Sequence, residues 1–281
     1  MNYSRKNFLR IAGLGLTAGV TSVTDGLAAK TVAGPMAGLV PFKLGMASYS
    51  FREYSLADAI AMTKRLGLQH IALKSMHLPL ESTPEEIKAV AAQVKEAGLD
   101  FYGAGVIYMK TEEEVTRTFD YARHAGLKMI VGVPSHPLLP LVNEMVKKYD
   151  LIVAIHNHGP GDEVYPSPAS VYEKIKGLDQ RIGLCIDIGH TQRIGVDPAG
   201  AVAKYADRLY DLHVKDVSAA TQEGNTVEIG RGVIDIPGFL RALRKIKYTG
   251  YVSLEYEKDG KDAMPGASES IGYVRGVLAA R

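Results

Sequence analysis

TPEEIKAVAAQVKEAGLDFYGAGV, residues 83–106, holds a helix and then a strand, and that order decides the fold. Thr83 is a helix N-cap residue, Pro84 suits the first helical position, where its missing N–H is no loss, and Gly98 ends the run. DFYGAGV (100–106) follows as an apolar strand. The plan repeats on both sides. SLADAIAMTKRLG (55–67) opens on a serine N-cap and closes on glycine, and TEEEVTRTFDYARHAG (111–126) does the same from Thr111. Shorter helical stretches follow at 137–149, 168–177, 197–206, 236–246 and 265–279. Between them lie the short apolar runs LGMAS (44–48), HIALK (70–74), KMIVGV (128–133), LIVAIH (151–156), GLCIDI (183–188), YDLHV (210–214) and YVSLE (251–255). Strand alternating with helix implies a parallel sheet. Eight such units within residues 44–281 match an α/β fold of one domain, a (β/α)8 TIM barrel. A doubly wound open sheet is the alternative. No G-x-G-x-x-G follows the first strand, so a dinucleotide-binding fold is unsupported.

A parallel barrel strand is buried on both faces, so a polar residue in it is costly unless it serves the site at the strand's C-terminal end. Side chains alternate along a strand. In strand five, Ile152, Ala154 and His156 share a face; in strand six, Gly183, Cys185 and Asp187 do. In strand seven His213 and Lys215 oppose Leu212 and Val214, and in strand eight Ser253, Glu255 and Glu257 oppose Val252 and Leu254. Four consecutive strands thus bring His156, Asp187, His213 and Glu255 to one end of the barrel. A lone strand-end histidine reads as a hydrogen-bonded structural residue; four ionisable residues at matching positions read as a metal site. Two imidazoles and two carboxylates suit manganese, zinc, cobalt or iron better than calcium.

Composition sets outer bounds. The chain of 281 residues carries a net charge of +2, too mild for a nucleic-acid partner. Its one cysteine, Cys185, excludes an intramolecular disulfide, and between Leu184 and Ile186 it reads as core packing. Residues 4–10, SRKNFLR, precede the apolar and small-residue run IAGLGLTAGVTSV (11–23), with small residues Gly26, Ala28 and Ala29 beyond it. That is the pattern of an export signal over residues 1–29, followed by a flexible Gly/Pro segment, 30–43, and the catalytic barrel, 44–281. The apolar run is short for a membrane span, which needs about 20 residues, so no stable membrane association is expected after cleavage. No cysteine follows it to carry a lipid anchor.

HNHG (156–159), IDIGH (186–190), LHVKD (212–216), EIGRGVID (228–235) and SLEYE (253–257) resemble the xylose isomerase-like TIM-barrel superfamily, the sugar phosphate isomerases and epimerases. The resemblance spans residues 44–281. It implies a divalent metal (manganese, zinc, cobalt or magnesium) held by His156, Asp187, His213 and Glu255, and a small sugar or keto-sugar as substrate. Histidine stands at 156 where most relatives carry glutamate. In epimerases of the family the two glutamate ligands also serve as the acid/base pair on either side of the substrate, an arrangement that His156 breaks. SRKNFLR itself resembles a twin-arginine (Tat) signal with Lys6 in place of the second arginine, which implies export to the periplasm.

The resemblance implies proton abstraction next to a sugar carbonyl, with Glu255 as base. His158 is a candidate acid/base, or a holder of a substrate hydroxyl or a supporting hydrogen bond. Lys74, at the end of strand two, is placed to neutralise an oxyanion or to pair with a site carboxylate, with His77 just beyond. His190 is a candidate to orient Asp187 or to contact substrate. Lys215 comes with the H-x-K-D signature and faces the site, and Asp216 begins the loop. Arg231, in the EIGRG loop after strand seven, offers a charge for an anionic group or belongs to a surface turn; the neighbouring glycines permit close backbone approach. The leading expectation is a metal-dependent isomerase or epimerase. The alternative is a carbon–oxygen lyase or hydratase of 3-keto-glycosides acting by β-elimination, which needs one base and one acid and so fits His156. A non-catalytic sugar-binding barrel is a remote third. A DNA-repair endonuclease is disfavoured by the export signal and modest charge. A homo-oligomer is left open.

Overall fold

The structure is a computed structural model that describes residues 41–280. The export-signal segment and most of the flexible segment lie outside the described residues. Eight strands close into a barrel: β1 (Lys43–Ala47), β2 (His70–Leu73), β3 (Asp100–Met109), β4 (Met129–Pro134), β5 (Ile152–His156), β6 (Ile182–Asp187), β7 (Leu209–Val214) and β8 (Tyr251–Leu254). Each pairs in parallel with its neighbours, and β8 returns to β1. The chain is a single-domain TIM barrel, as the alternation of strand and helix predicts.

The helices form where local chemistry starts and stops them. α1 (Leu56–Arg65) is capped by the Ser55 side chain, which accepts from Asp58 N–H. Capping boxes open α2 (Pro84–Glu96), α3 (Glu112–Ala125) and, after α4 (Leu139–Tyr149), α5 (Pro168–Ile175). Gly126 ends α3 in the left-handed region at φ 69°. α6 (Ile188–Arg193), α7 (Pro198–Lys204), α8 (Ile236–Lys245) and α9 (Ala263–Ala279) complete the set. The core is one continuous apolar cluster, with Ile71, Ile130, Val153, Leu184 and Leu212 buried on the strands and Val94, Phe119, Val171 and Phe239 on the helices.

Three features depart from the sequence expectation. β3 runs to Met109 instead of ending at 106, with a register slip against β4 between Ala104 and Ile107. That extension carries Tyr108 to the mouth of the barrel. α6 begins directly after β6, with Asp187 as its N-cap, in a stretch too short to show helical periodicity. The loop after β7 contains a two-stranded ribbon, Asp216–Val217 with Thr226–Val227. Asp216 organises this loop: its buried carboxylate accepts from the N–H groups of Val217, Gly230, Gly232 and Ile234 at 2.9–3.2 Å. A Cβ at Gly232 would clash with Asp216 Oδ1. The close approach that the EIGRG glycines permit is therefore to the chain's own carboxylate.

Candidate active site

Strand register builds the site. His156 on β5 sits beside Cys185 on β6, and Asp187 beside His213 on β7; Glu255 follows the last residue of β8. One donor atom from each of His156, Asp187, His213 and Glu255 lies within 4.8 Å of all the others. His156 Nε2 is 3.5 Å from Asp187 Oδ2, and His213 Nδ1 is 3.3 Å from Glu255 Oε2. All four side chains are buried. Both ring nitrogens of His156 and both of His213 lack a hydrogen-bond partner. Such unsatisfied buried groups are costly. Burial holds His156 well below the usual histidine range and outweighs the pull of Asp187, which leaves a neutral imidazole with a free lone pair. Burial also disfavours charge on His213, but the adjacent Glu255 raises it on balance.

Lys215, just beyond the end of β7, binds the carboxylates of the cluster. Its ammonium lies 2.6 Å from Glu255 Oε2 and 3.0 Å from Asp187 Oδ2, and it also pairs with Glu257. The contact to Asp187 is an ion pair without hydrogen-bond geometry. Burial pushes the Asp187 and Glu255 carboxyls up, but Lys215 and the neighbouring histidines pull both below the usual carboxylate range. Burial lowers Lys215, and Asp187, Glu255 and Glu257 together lift it well above the usual lysine value. One ammonium thus faces three formal negative charges. That surplus, with the unpaired imidazole nitrogens, is what a divalent cation would satisfy, so the residues present fit a metal held by His156, Asp187, His213 and Glu255. Asp187 is fixed for that role: its Oδ1 accepts from His190 N–H at 2.8 Å as the cap of α6, while Oδ2 faces the cluster.

Toward the mouth, His158 Nε2 is hydrogen-bonded to the Tyr108 hydroxyl at 3.0 Å, and its Nδ1 lies 3.4 Å from Asp162. The His158 ring is 4.5 Å from that of His156, and His190 lies 5.8 Å from His158. Burial lowers His158 and His190 below the usual histidine range. Lys74 donates to Val106 C=O at 3.0 Å and is lowered by burial against the pull of Glu255 and Glu257. His77 is engaged on both ring nitrogens, by Ser48 Oγ at 2.9 Å and Tyr54 C=O at 3.1 Å, so it braces the loops after β1 and β2. Arg231 has a side chain 62% exposed and pairs with Glu269 on α9. The structure therefore gathers His156, His158, Asp187, His190, His213, Lys215 and Glu255 around one centre. It places His77 in a structural hydrogen-bond pair and Arg231 in a surface ion pair.

Sequence reasoning passed over Tyr108, Asp162 and Asn157. Tyr108 lies past the expected end of β3. Asp162 also holds its own loop, accepting from Val164 and Tyr165 N–H. Asn157 ties the ends of β5 and β6 together, accepting from Asp187 N–H at 3.2 Å. The HNHG and IDIGH segments meet through that bond, a pairing visible only across two strands.

The closed parallel barrel thus brings to one centre four strand-end side chains able to hold a metal ion. The xylose isomerase-like TIM barrel family matches residues 60–277, and the chain belongs to that family. The rhizopine catabolism protein MocC of Rhizobium meliloti is 26% identical over 145 residues, 46% of this chain and 44% of its own. An inosose dehydratase of Clostridium beijerinckii is 29% identical over 97 residues, 29% of this chain and 33% of its own. The chain spans less than half the length of these relatives. The structure of 3-keto-D-glucoside 4-epimerase from E. coli matches with a TM-score of 0.68 at 18% identity, covering 84% of this chain and 99% of that one, which is a likeness of fold.

Proposed function

We propose that this protein removes a proton next to the carbonyl of a keto-sugar, with Glu255 as base, and completes the reaction by β-elimination. The observation that carries this reading is the asymmetry of the site: Glu255 directly follows β8, while the partner position at the end of β5 is the neutral imidazole of His156. One base and one acid serve elimination; two equivalent bases serve epimerisation. The inosose dehydratase similarity supports the same direction, since a dehydratase eliminates water.

A divalent cation held by His156, Asp187, His213 and Glu255 would supply Lewis-acid polarisation of the substrate oxygens. The chain's own residues do the rest. Lys215 keeps Glu255 ionised and aimed. Glu255 takes the proton from the carbon beside the carbonyl, and Lys74 offsets the negative charge that develops on the carbonyl oxygen. The new C=C bond forms as the β carbon–oxygen bond breaks. The leaving oxygen takes its proton from the Tyr108–His158 pair, giving an enone and a free alcohol or water. The export expected from residues 1–29 would favour an unphosphorylated glycoside, because phosphorylated sugars are mainly cytosolic.

The test is incubation with a 3-keto-glucoside in deuterated water. Aglycone release with appearance of an enone supports elimination. A second reading, epimerisation, draws on the same Tyr108–His158–Asp162 chain, which would then return a proton to the carbon that Glu255 deprotonates. Deuterated epimer without aglycone release selects it. Unchanged, undeuterated substrate overturns both.

A further inference from the structure

Beneath the carboxylates the barrel holds a second donor set. Cys185 Sγ and one ring nitrogen each of His156 and His213 lie within 4.8 Å of one another. All three residues are at most 1% exposed. The register explains the placement: Cys185 is the β6 neighbour of His156 on β5 and of Asp211 on β7, two residues before His213. The two rings present more nitrogens than the carboxylate set can use. His213 Nδ1 faces Glu255 at 3.3 Å, while its Nε2 faces inward toward Asp211 at 3.8 Å. Neither nitrogen makes a hydrogen bond, and neither does either nitrogen of His156. Asp211 also accepts the Cys185 S–H at 3.4 Å, so thiol and inward nitrogen converge on one carboxylate. That carboxylate is held in turn by the Tyr102 hydroxyl.

We propose that His156, Cys185 and His213 form a second metal position, deeper in the barrel than the carboxylate set, selective for thiophilic ions such as cadmium and copper(I). Two imidazoles and a thiolate suit soft and borderline ions, whereas the outer set offers two oxygens and suits manganese or magnesium. On binding, the Cys185 S–H bond breaks, a sulfur–metal bond forms, and the proton passes to Asp211. Both donor sets draw on the same two rings, His156 and His213, so the two positions are not filled independently and a thiophilic ion displaces a hard one. This inference rests on the reading that the two imidazoles face a metal.

The experiment uses the purified, metal-stripped chain. Cadmium is titrated in while the sulfur-to-cadmium charge-transfer absorption is recorded in the ultraviolet. The chain has one cysteine, so that band reports Cys185 alone. Manganese binding is followed separately by electron paramagnetic resonance. The expected result is a saturable band in the wild type and none in Cys185→Ala or Cys185→Ser. Cadmium affinity in these variants should fall by more than the roughly 10–100-fold typical of losing a supporting residue. Manganese binding should be retained in both, which also shows that they fold, and cadmium should release manganese from the wild type. Cadmium binding without the band, or with equal affinity in wild type and Cys185→Ala, overturns the inner position and leaves the outer one standing. Failure of both ions to bind overturns both.

Discussion

Lys215→Met tests the electrostatic frame of the site most directly. Methionine keeps the length and apolar stem of lysine but removes the charge. In the wild type the Lys215 side chain is 2% exposed and its ammonium reaches Glu255 at 2.6 Å and Asp187 at 3.0 Å, both carboxylates being buried. Removing one partner of a buried ion pair leaves the other charge uncompensated and costs about 3–5 kcal/mol. For a chain of this size that lowers the melting temperature by roughly 6–20 °C at pH 8 without metal. The pH dependence has a definite sign. The wild-type carboxyls lie below their ordinary values, so their stabilisation is full above the unfolded carboxyl range of about 4–4.5 and fades as pH falls through the folded values. In the variant the Lys215 pull is gone, and burial, the largest influence on both groups, pushes them up. Groups raised on folding lose stability as pH rises. The deficit of Lys215→Met is therefore largest at pH 8 and narrows toward pH 5. Thermal melting in chelator at the two pH values measures it. A deficit under about 1 kcal/mol, or one equal at both pH values, refutes the assignment of Lys215 as the buried counter-charge.

Four further outcomes follow from the geometry. Glu255→Gln should lower kcat by about 10²–10⁴-fold, the usual worth of a positioned base, and abolish solvent deuterium exchange into the substrate. His156→Glu restores a second carboxylate across from Glu255 and should shift product from aglycone release toward epimer, read by chromatography of the reaction mixture. Asp216→Ala leaves four backbone N–H groups near Gly230 and Gly232 without their acceptor; at about 1–3 kcal/mol for each group left unsatisfied, stability should fall by at least about 4 kcal/mol, with new proteolytic cleavage in residues 218–235. Arg231→Ala removes an exposed ion pair worth about 0–1 kcal/mol, so kcat/KM and melting temperature should stay at wild-type values; a raised KM would show that Arg231 reaches the substrate.

The barrel is legible in the sequence because its signals are local. Thr83, Thr111 and Ser55 announce helices through hydrogen bonds that span three residues, and alternation along each strand sorts His156, Asp187 and His213 onto the inward face. What the sequence could not carry is anything set by register between strands. The bond from Asn157 to the Asp187 backbone joins residues 30 apart. The ion pair from Lys215 to Glu255 joins residues 40 apart, and only closure of β8 onto β7 brings them together. Tyr108 reaches the mouth because β3 slips against β4, an irregularity that no composition signals. Cys185 shows the division most clearly. Its apolar neighbours Leu184 and Ile186 mark it as core, and it is buried, but alternation turns it toward the barrel axis and register sets it beside His156 and Asp211. The sequence by itself determined the order of strands and helices and the inward phase of the ligating residues, because hydrophobic period and caps act over a few residues. The tertiary structure alone decided which charges meet and which nitrogens are left without partners, because barrel closure fixes distances between residues that the chain keeps far apart.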